Sequence, residues 1–233
     1  AGGGPAGGID VLHGPALDGP IAIREHGLAF EVDVVRGHKT GFYLDQRENR
    51  RRVRDLAAGR RVLNVFAYTG GFSVAAAAGG ARAVTTVDIA APVLDAARRN
   101  FALNGLDPDA PHHRWHTGDA FAFLADCRDR YDLVVVDPPS MAPSRASLDR
   151  ALAAYRQLNT LALACAAPGA LVLTCSCSSH VTAEHLRDGV ADAAAAARRN
   201  VRILERRGAG PDHPLQPGFP EGDYLQALLL YVE

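Results

Sequence analysis

From residue 61 onwards, short strand-like runs alternate with longer stretches of helical periodicity. The runs that predict buried strands are RVLNVFA (61–67), AVTTVD (83–88), HRWHT (113–117), YDLVVVD (131–137) and ALVLTCS (170–176). The stretches that predict helices span 71–80, 91–105, 145–169 and 182–199. Strands that alternate with helices of this length are typical of βαβ units. The pattern therefore predicts an α/β fold with a doubly wound, mostly parallel sheet.

The two ends of the chain depart from this alternation. Runs 201–207 and 224–233 have no helix between them, so they are predicted to pair antiparallel as the last two strands. Residues 21–35 form short alternating segments around a His-Gly pair, which predicts a β-hairpin. Glycine and proline dominate residues 1–20 and predict a flexible lead-in. The expected organisation is a lead-in (1–20), a hairpin segment (21–54) and a main domain (55–233).

Composition narrows the class of protein. The 233 residues carry a net charge of −1 and are 48% hydrophobic, so the chain can bury a sizeable core, and any basic surface for nucleic acid must be local. We find no signal peptide and no apolar run long enough for a membrane, and the four cysteines lack the spacing of a zinc or redox motif. We expect free thiols and a cytoplasmic protein. Because the chain begins at Ala1 without an initiator methionine, we also expect a missing upstream segment.

Glycines and acids stand at the ends of four consecutive predicted strands. They are Gly70-Gly71, Asp88, Asp119 and Asp137-Pro138-Pro139. Ligands of doubly wound sheets lie beyond the carboxyl ends of the strands, so these residues are expected near one ligand. Asp88 is placed to bind ribose hydroxyls, and Asp119 can accept a hydrogen bond from an adenine amino group. A dinucleotide dehydrogenase fits less well, because the GxGxxG fingerprint is absent and Asp-Pro-Pro has no role there.

Five segments, in this order, resemble the bacterial 23S rRNA large-subunit methyltransferases that methylate cytosine at C5. They are GHKTGFYLDQRENRR (37–51), NVFAYTGGFS (64–73), DPPS (137–140), LTCSCSSHV (173–181) and DHP…PEGDYL (212–225). The resemblance spans residues 21–233 and implies a Rossmann-like, class I fold. It further implies S-adenosylmethionine as the cofactor, 23S rRNA as the partner, and a segment 21–54 that folds over the cofactor.

The resemblance also implies a cofactor site. Gln46 and Arg47 would reach the methionine end of the cofactor, and Arg47 would pair with its carboxylate. The full set of expected cofactor-binding residues is Gln46, Arg47, Phe66, Tyr68, Thr69, Gly70, Asp88, Ile89, Asp119, Ala120 and Asp137. The arginines at 50–54 are expected to form a solvated helix face, and some of them can meet RNA phosphates.

The catalytic residue that the resemblance implies is Cys177. Cytosine C5 is a poor nucleophile, and enzymes that methylate it add a thiolate to C6 so that C5 becomes enamine-like. Asp137 is expected to hold the base edge and to donate a proton to N3. Cys175 occupies a position that is often apolar in the family, so we interpret it as core packing.

Several alternatives stay open. Amino-group methyltransferases carry an aromatic residue after Asp-Pro-Pro, and this chain has Ser140 instead. His180, His185 and His213 are scattered without a ligand triad, so no metal is expected. Family members usually carry an N-terminal RNA-binding PUA domain, which does not fit before residue 20. Without it, a small-molecule methyltransferase and a non-catalytic binding module are the alternative functions. A homodimer is compatible with either.

Overall fold

The computed structural model describes residues 13–15, 17, 19–37, 40–142 and 144–233. Its strands are β1 (Ile21–Glu25), β2 (Leu28–Val32), β3 (Arg61–Val65), β4 (Ala83–Asp88), β5 (His113–Thr117), β6 (Tyr131–Val136), β7 (Ala166–Ser176), β8 (Val201–Arg207) and β9 (Gln226–Val232). Its α-helices are α1 (Arg47–Leu56), α2 (Gly71–Ala78), α3 (Ala91–Leu103), α4 (Ala120–Asp126), α5 (Leu148–Cys165) and α6 (Ala183–Ala197). Short 3-10 turns span Leu44–Gln46, Arg145–Ser147 and Pro220–Gly222.

Seven strands form one sheet in the order β5-β4-β3-β6-β7-β9-β8, while β1 and β2 form a separate antiparallel hairpin. The first five strands in this order are parallel, and β9 runs antiparallel to both β7 and β8. The chain winds outward from β3 to β5 and then returns to place β6 on the other side of β3. The expected doubly wound sheet, its antiparallel end and the preceding hairpin are confirmed, and the switch point lies between β3 and β6.

Both faces of the sheet are buried. In β6, Val134 and Val136 belong to the core shared with α4, α5 and α6, whereas Leu133 and Val135 belong to the core shared with α1, α2 and the hairpin. Successive side chains of a strand point to opposite faces, so a strand covered on both sides must be apolar at every position. This explains the continuous run Leu133–Val136 and places the strand ends, not the faces, in reach of a ligand.

Asn100 of α3 and Asn104, the residue that follows this helix, hold the hairpin against the main domain. Asn104 accepts a hydrogen bond from Ala29 N (2.8 Å) and donates one to Ala29 O (2.7 Å). Asn100 accepts one from Glu31 N (2.8 Å) and donates one to Thr69 O (2.9 Å). Asn100 therefore links the hairpin directly to the loop that follows β3.

Two local features differ from the sequence analysis. The long helix predicted to reach residue 169 ends at Cys165, and β7 begins at Ala166. Pro168 explains this, since proline lacks an N–H and disfavours helical backbone at the residue before it. The short helix α4 was not predicted at all. The division at 54/55, a position within α1, stays a prediction, and the lead-in 1–20 lies largely outside the described residues.

Candidate active site

A cavity of about 630 Å³ opens at the carboxyl ends of β3, β4, β5, β6 and β7. The segment between β2 and α1 and residue Leu225 complete its wall. The predicted site residues that line it are Gln46, Phe66, Tyr68, Thr69, Asp88, Ile89, Asp119, Ala120, Asp137 and Cys177. Residues that were not predicted but line it as well include Arg36, Phe42, Tyr43, Asp45, Arg50 and Leu225. The structure thus brings most of the predicted set together in one cavity.

The loop after β3 is held in an unusual conformation. Phe66 and Tyr68 have left-handed backbone (φ 58° and 48°), which non-glycine residues rarely adopt. Gly70 is also left-handed, and a Cβ there would lie 2.7 Å from Cβ of Ala97, so only glycine allows α3 to approach this closely. Gly70 therefore shapes the loop without lining the cavity, and the loop presents Phe66 and Tyr68 to the ligand space.

Asp88 is the anchor of this loop. Its carboxylate accepts hydrogen bonds from Tyr68 N (2.8 Å) and Ala90 N (3.0 Å) at the end of β4. Ile89 beside it is 72% exposed, which leaves an apolar surface at the mouth of the cavity. After the next strand, β5, Asp119 caps the N-terminus of α4 by accepting a hydrogen bond from Ala122 N (2.9 Å). Carboxylates and an apolar side chain thus lie along the β4–β5 side of the cavity.

A chain of amide contacts positions Asp137 on the opposite side. Gln46 Nε2 donates to Asp137 Oδ1 (2.9 Å), and Gln46 Oε1 accepts from Asn49 Nδ2 (2.6 Å). Asn49 Oδ1 in turn accepts from Arg207 Nε (2.8 Å) on β8. Gln46 is only 2% exposed, so its orientation is set by these partners. The contact between Asn49 and Arg207 could not be predicted from a local sequence pattern, because the two residues lie 158 positions apart in the chain.

Arg47 and Arg50, both in α1, make contacts that the sequence analysis did not anticipate. Arg47 does not line the cavity, and its guanidinium contacts Glu48 (3.1 Å) and Asp212 (3.4 Å) instead. Arg50 lines the cavity and is 4% exposed, so the prediction that it belongs to a solvated face is wrong. It donates to Glu25 through two nitrogens and lies 4.4 Å from the centre of the Phe42 ring. A buried acid on the hairpin and an aromatic face thus account for its burial, whereas Arg51 is exposed.

Cys177 is placed differently from the other three cysteines. It lines the cavity, and its thiol donates to Pro138 O at 3.8 Å, whereas Cys127, Cys165 and Cys175 do not line the cavity. Cys175 is fully buried, and burial raises the pKa of its thiol well above the usual range. This location agrees with the interpretation of Cys175 as core packing.

A hydroxyl cluster ties the end of β7 to the loop after β6. Ser178 Oγ lies within hydrogen-bonding distance of Ser140 Oγ (3.0 Å) and Tyr155 Oη (3.3 Å). Ser176 Oγ donates to the same Tyr155 oxygen (3.0 Å). The serines on both sides of Cys177 therefore hold the thiol beside the Asp-Pro-Pro turn. The repeated serines in LTCSCSS were the available sequence signal, but Tyr155 had none.

Tyr43 faces the same region, and sequence reasoning did not assign it a role. Burial, followed by the charges of Cys177, Tyr68 and Asp137, raises the pKa of Tyr43 to about 12. Its phenol therefore stays protonated at neutral pH.

Neither a membrane span nor a metal cluster is found in the part of the chain that the structure describes. No helix there is both long and apolar enough to cross a membrane. Likewise, no group of three or more His, Cys, Asp or Glu residues in the described ranges is arranged to hold a metal ion.

Comparison with known proteins gives consistent results. The family model described as "S-adenosylmethionine-dependent methyltransferase" matches residues 4–229. Ribosomal RNA large subunit methyltransferase I of Shewanella denitrificans is 43% identical over 225 residues, which are 95% of this chain and 56% of that protein. The protein of the same name from Aeromonas salmonicida is 43% identical over 223 residues, or 94% of this chain and 56% of its own length. The chain thus spans little more than half the length of these relatives.

A solved structure shares the fold. SMU.776, described as a methyltransferase and complexed with SAH, superposes with a TM-score of 0.84 at 27% identity. The match covers 94% of this chain and 58% of that one.

Proposed function

The chain belongs to the family of S-adenosylmethionine-dependent methyltransferases, and on this premise we propose that it methylates C5 of a cytosine in 23S rRNA. The observation that carries the proposal is the position of Cys177, whose thiol lines the cavity beside Asp137 and Pro138. The names of the relatives from Shewanella denitrificans and Aeromonas salmonicida support rRNA as the substrate.

The residues around the cavity fit S-adenosylmethionine. A volume of about 630 Å³ lies in the range of small-ligand sites. Asp88 offers carboxylate oxygens for ribose hydroxyls, Asp119 an acceptor for an adenine amino group, and exposed Ile89 an apolar contact for the ring. Gln46 and Arg50 belong to the lining, whereas Arg47 is not among the lining residues and contacts Glu48 and Asp212. Bound there, the cofactor supplies an electrophilic methyl group.

Cys177 makes the cytosine reactive. Its thiolate forms a bond to C6, the C5=C6 π electrons move to form a C4=C5 double bond, and the C4=N3 π electrons move onto N3, so that C5 becomes the nucleophilic carbon of an enamine. Asp137, oriented by the Gln46 amide, holds the base edge and gives a proton to N3 as this happens. After C5 has been methylated, removal of the C5 proton re-forms the C5=C6 bond and expels the Cys177 thiolate, and N3 returns its proton to Asp137.

The experiment is methyl transfer to unmodified 23S rRNA from labelled S-adenosylmethionine. Cys177→Ala should lose activity by roughly a thousandfold or more, because removal of a catalytic nucleophile removes the covalent path. The matched control is Cys175→Ala, a buried thiol two residues away, which should lose stability but keep most of its turnover. Both variants should still bind S-adenosylhomocysteine, as measured by calorimetry.

A trapping experiment tests the adduct directly. In rRNA that contains 5-fluorocytosine, fluorine cannot leave as a proton does, so wild-type protein should form a complex that survives denaturation, and Cys177→Ala should form none. Normal turnover by Cys177→Ala would exclude this mechanism and favour a small-molecule or heteroatom acceptor, whose methylation needs no covalent step.

The cellular setting belongs to the same proposal. Four free cysteines and an rRNA substrate favour the cytoplasm. The division into lead-in, covering segment (21–54) and methyltransferase domain (55–233) stays a prediction, as does the homodimer. Limited proteolysis and sedimentation analysis test these two predictions.

A further inference from the structure

Asp45 has a buried carboxylate with one unpaired oxygen. The side chain lines the cavity and is 7% exposed. Tyr224 donates its hydroxyl proton to Oδ2 (2.7 Å), whereas Oδ1 has no hydrogen-bond partner among the described residues. A buried acceptor that stays unpaired is costly, and such groups are rare in native structures. Oδ1 can therefore accept a hydrogen bond from a donor group of a ligand in the cavity.

The sheet order places this oxygen on the side of Cys177. Tyr224 lies just before β9, whose first residue Gln226 pairs with Ser176, the neighbour of Cys177. The groups suited to the cofactor follow β3, β4 and β5, on the far side of β6. In agreement, Asp45 and Cys177 both contribute to the raised pKa values of Tyr43 and Tyr224. Oδ1 thus lies on the same side of the cavity as the thiol of Cys177.

We infer that Asp45 determines base specificity by accepting a hydrogen bond from the 4-amino group of the target cytosine; this rests on the proposed function. A carboxylate oxygen can only accept, and the cytosine amino group is a donor. Uracil has a carbonyl oxygen at the same position, so it would place an acceptor against an acceptor in a buried site. Sites that pair with a polar substrate group reject analogues that lack it.

Asp45→Asn tests this inference. Tyr224 can donate to the new amide oxygen, which turns the amide nitrogen, a donor, towards the base. We expect the ratio of kcat/KM for rRNA fragments with cytosine or uracil at the methylated position to fall by at least about a hundredfold. Affinity for S-adenosylhomocysteine should stay within about twofold. Asp55→Asn, the same change at an exposed position of α1, should keep the wild-type ratio.

The other outcomes are decisive as well. An unchanged ratio in active Asp45→Asn would overturn the inference, and a parallel loss of S-adenosylhomocysteine affinity would assign Asp45 to the cofactor's amino group instead. Loss of activity on both bases, with fold and cofactor affinity intact, would also overturn it. Wild-type protein that methylates no cytosine in 23S rRNA would refute the proposed function, and this inference with it. If wild-type protein methylates cytosine in 23S rRNA and Asp45→Asn keeps the wild-type ratio of kcat/KM, the inference is refuted but the proposed function is not.

Discussion

At the scale of single residues, Asp88 combines two tasks. Its carboxylate holds the left-handed loop through Tyr68 N and Ala90 N, and it also lines the cavity where a ribose would lie. A carboxylate has about four lone-pair sites, so two backbone bonds leave room for ligand hydroxyls. The residue that shapes the loop therefore also offers acceptors to the ligand.

Replacement of Asp88 tests whether this residue binds the cofactor or only stabilises the loop. Asp88→Ala should weaken binding of S-adenosylhomocysteine by roughly 1–3 kcal/mol, because both ligand hydroxyls and loop N–H groups lose an acceptor. Calorimetry measures the affinity, and Asp95→Ala, at an exposed position of α3, is the control. Unchanged affinity in folded Asp88→Ala would remove Asp88 from the cofactor site.

At the scale of elements, α1 connects the hairpin to the cavity. Arg50 binds Glu25 at the end of β1 through two parallel bonds, and its side chain also packs closely on Gly71, where a Cβ would lie 2.9 Å from Arg50 Cδ. The neighbouring Arg51 faces solvent. One helix thus carries a buried structural arginine next to an exposed one, and the hairpin depends on the former.

Arg50→Lys tests this connection, because an ammonium group cannot make the paired contact of a guanidinium. We expect the free energy of unfolding to fall by roughly 1–3 kcal/mol, together with the affinity for S-adenosylhomocysteine. Arg51→Lys should change neither quantity in chemical denaturation and calorimetry. Equal losses for the two variants would contradict the distinction between buried and exposed arginines.

At the scale of the whole molecule, buried phenols and thiols make the fold sensitive to alkali. Burial raises the pKa values of Tyr43, Tyr131, Tyr155, Tyr224 and Cys175. For an acid whose pKa is higher in the folded state, the folded state binds more protons between the two pKa values. Stability is therefore full below the unfolded pKa and declines as the pH rises through that interval.

For Tyr43 the interval runs from pH 10.0 to about 12. Wild-type protein should lose stability across it, and Tyr43→Phe should lose less, by on the order of 1 kcal/mol after allowance for the partial exposure of the ring. Denaturant unfolding at pH 9 and pH 11 measures the difference, and Tyr231→Phe, near the surface on β9, is the control. Identical slopes in wild type and Tyr43→Phe would contradict the raised pKa.

Periodicity and strand-end chemistry by themselves determined the order of the strands and of helices α2, α3, α5 and α6, and they placed Gly70, Asp88, Asp119 and Asp137 at the ends of strands. These features depend on residues close together in the chain, and in a parallel sheet every strand brings its carboxyl end to the same edge. The resemblance added Cys177 and Gln46.

Only the tertiary structure decided which neighbours those side chains meet. Asp45 and Tyr224 lie 179 residues apart, and Gln46 and Asp137 lie 91 apart, so no local pattern pairs them. The burial of Arg50 likewise depends on Glu25, which lies on the hairpin 25 residues earlier in the chain. Such contacts depend on strand order and helix packing, which bring together residues that the periodicity of one segment cannot relate.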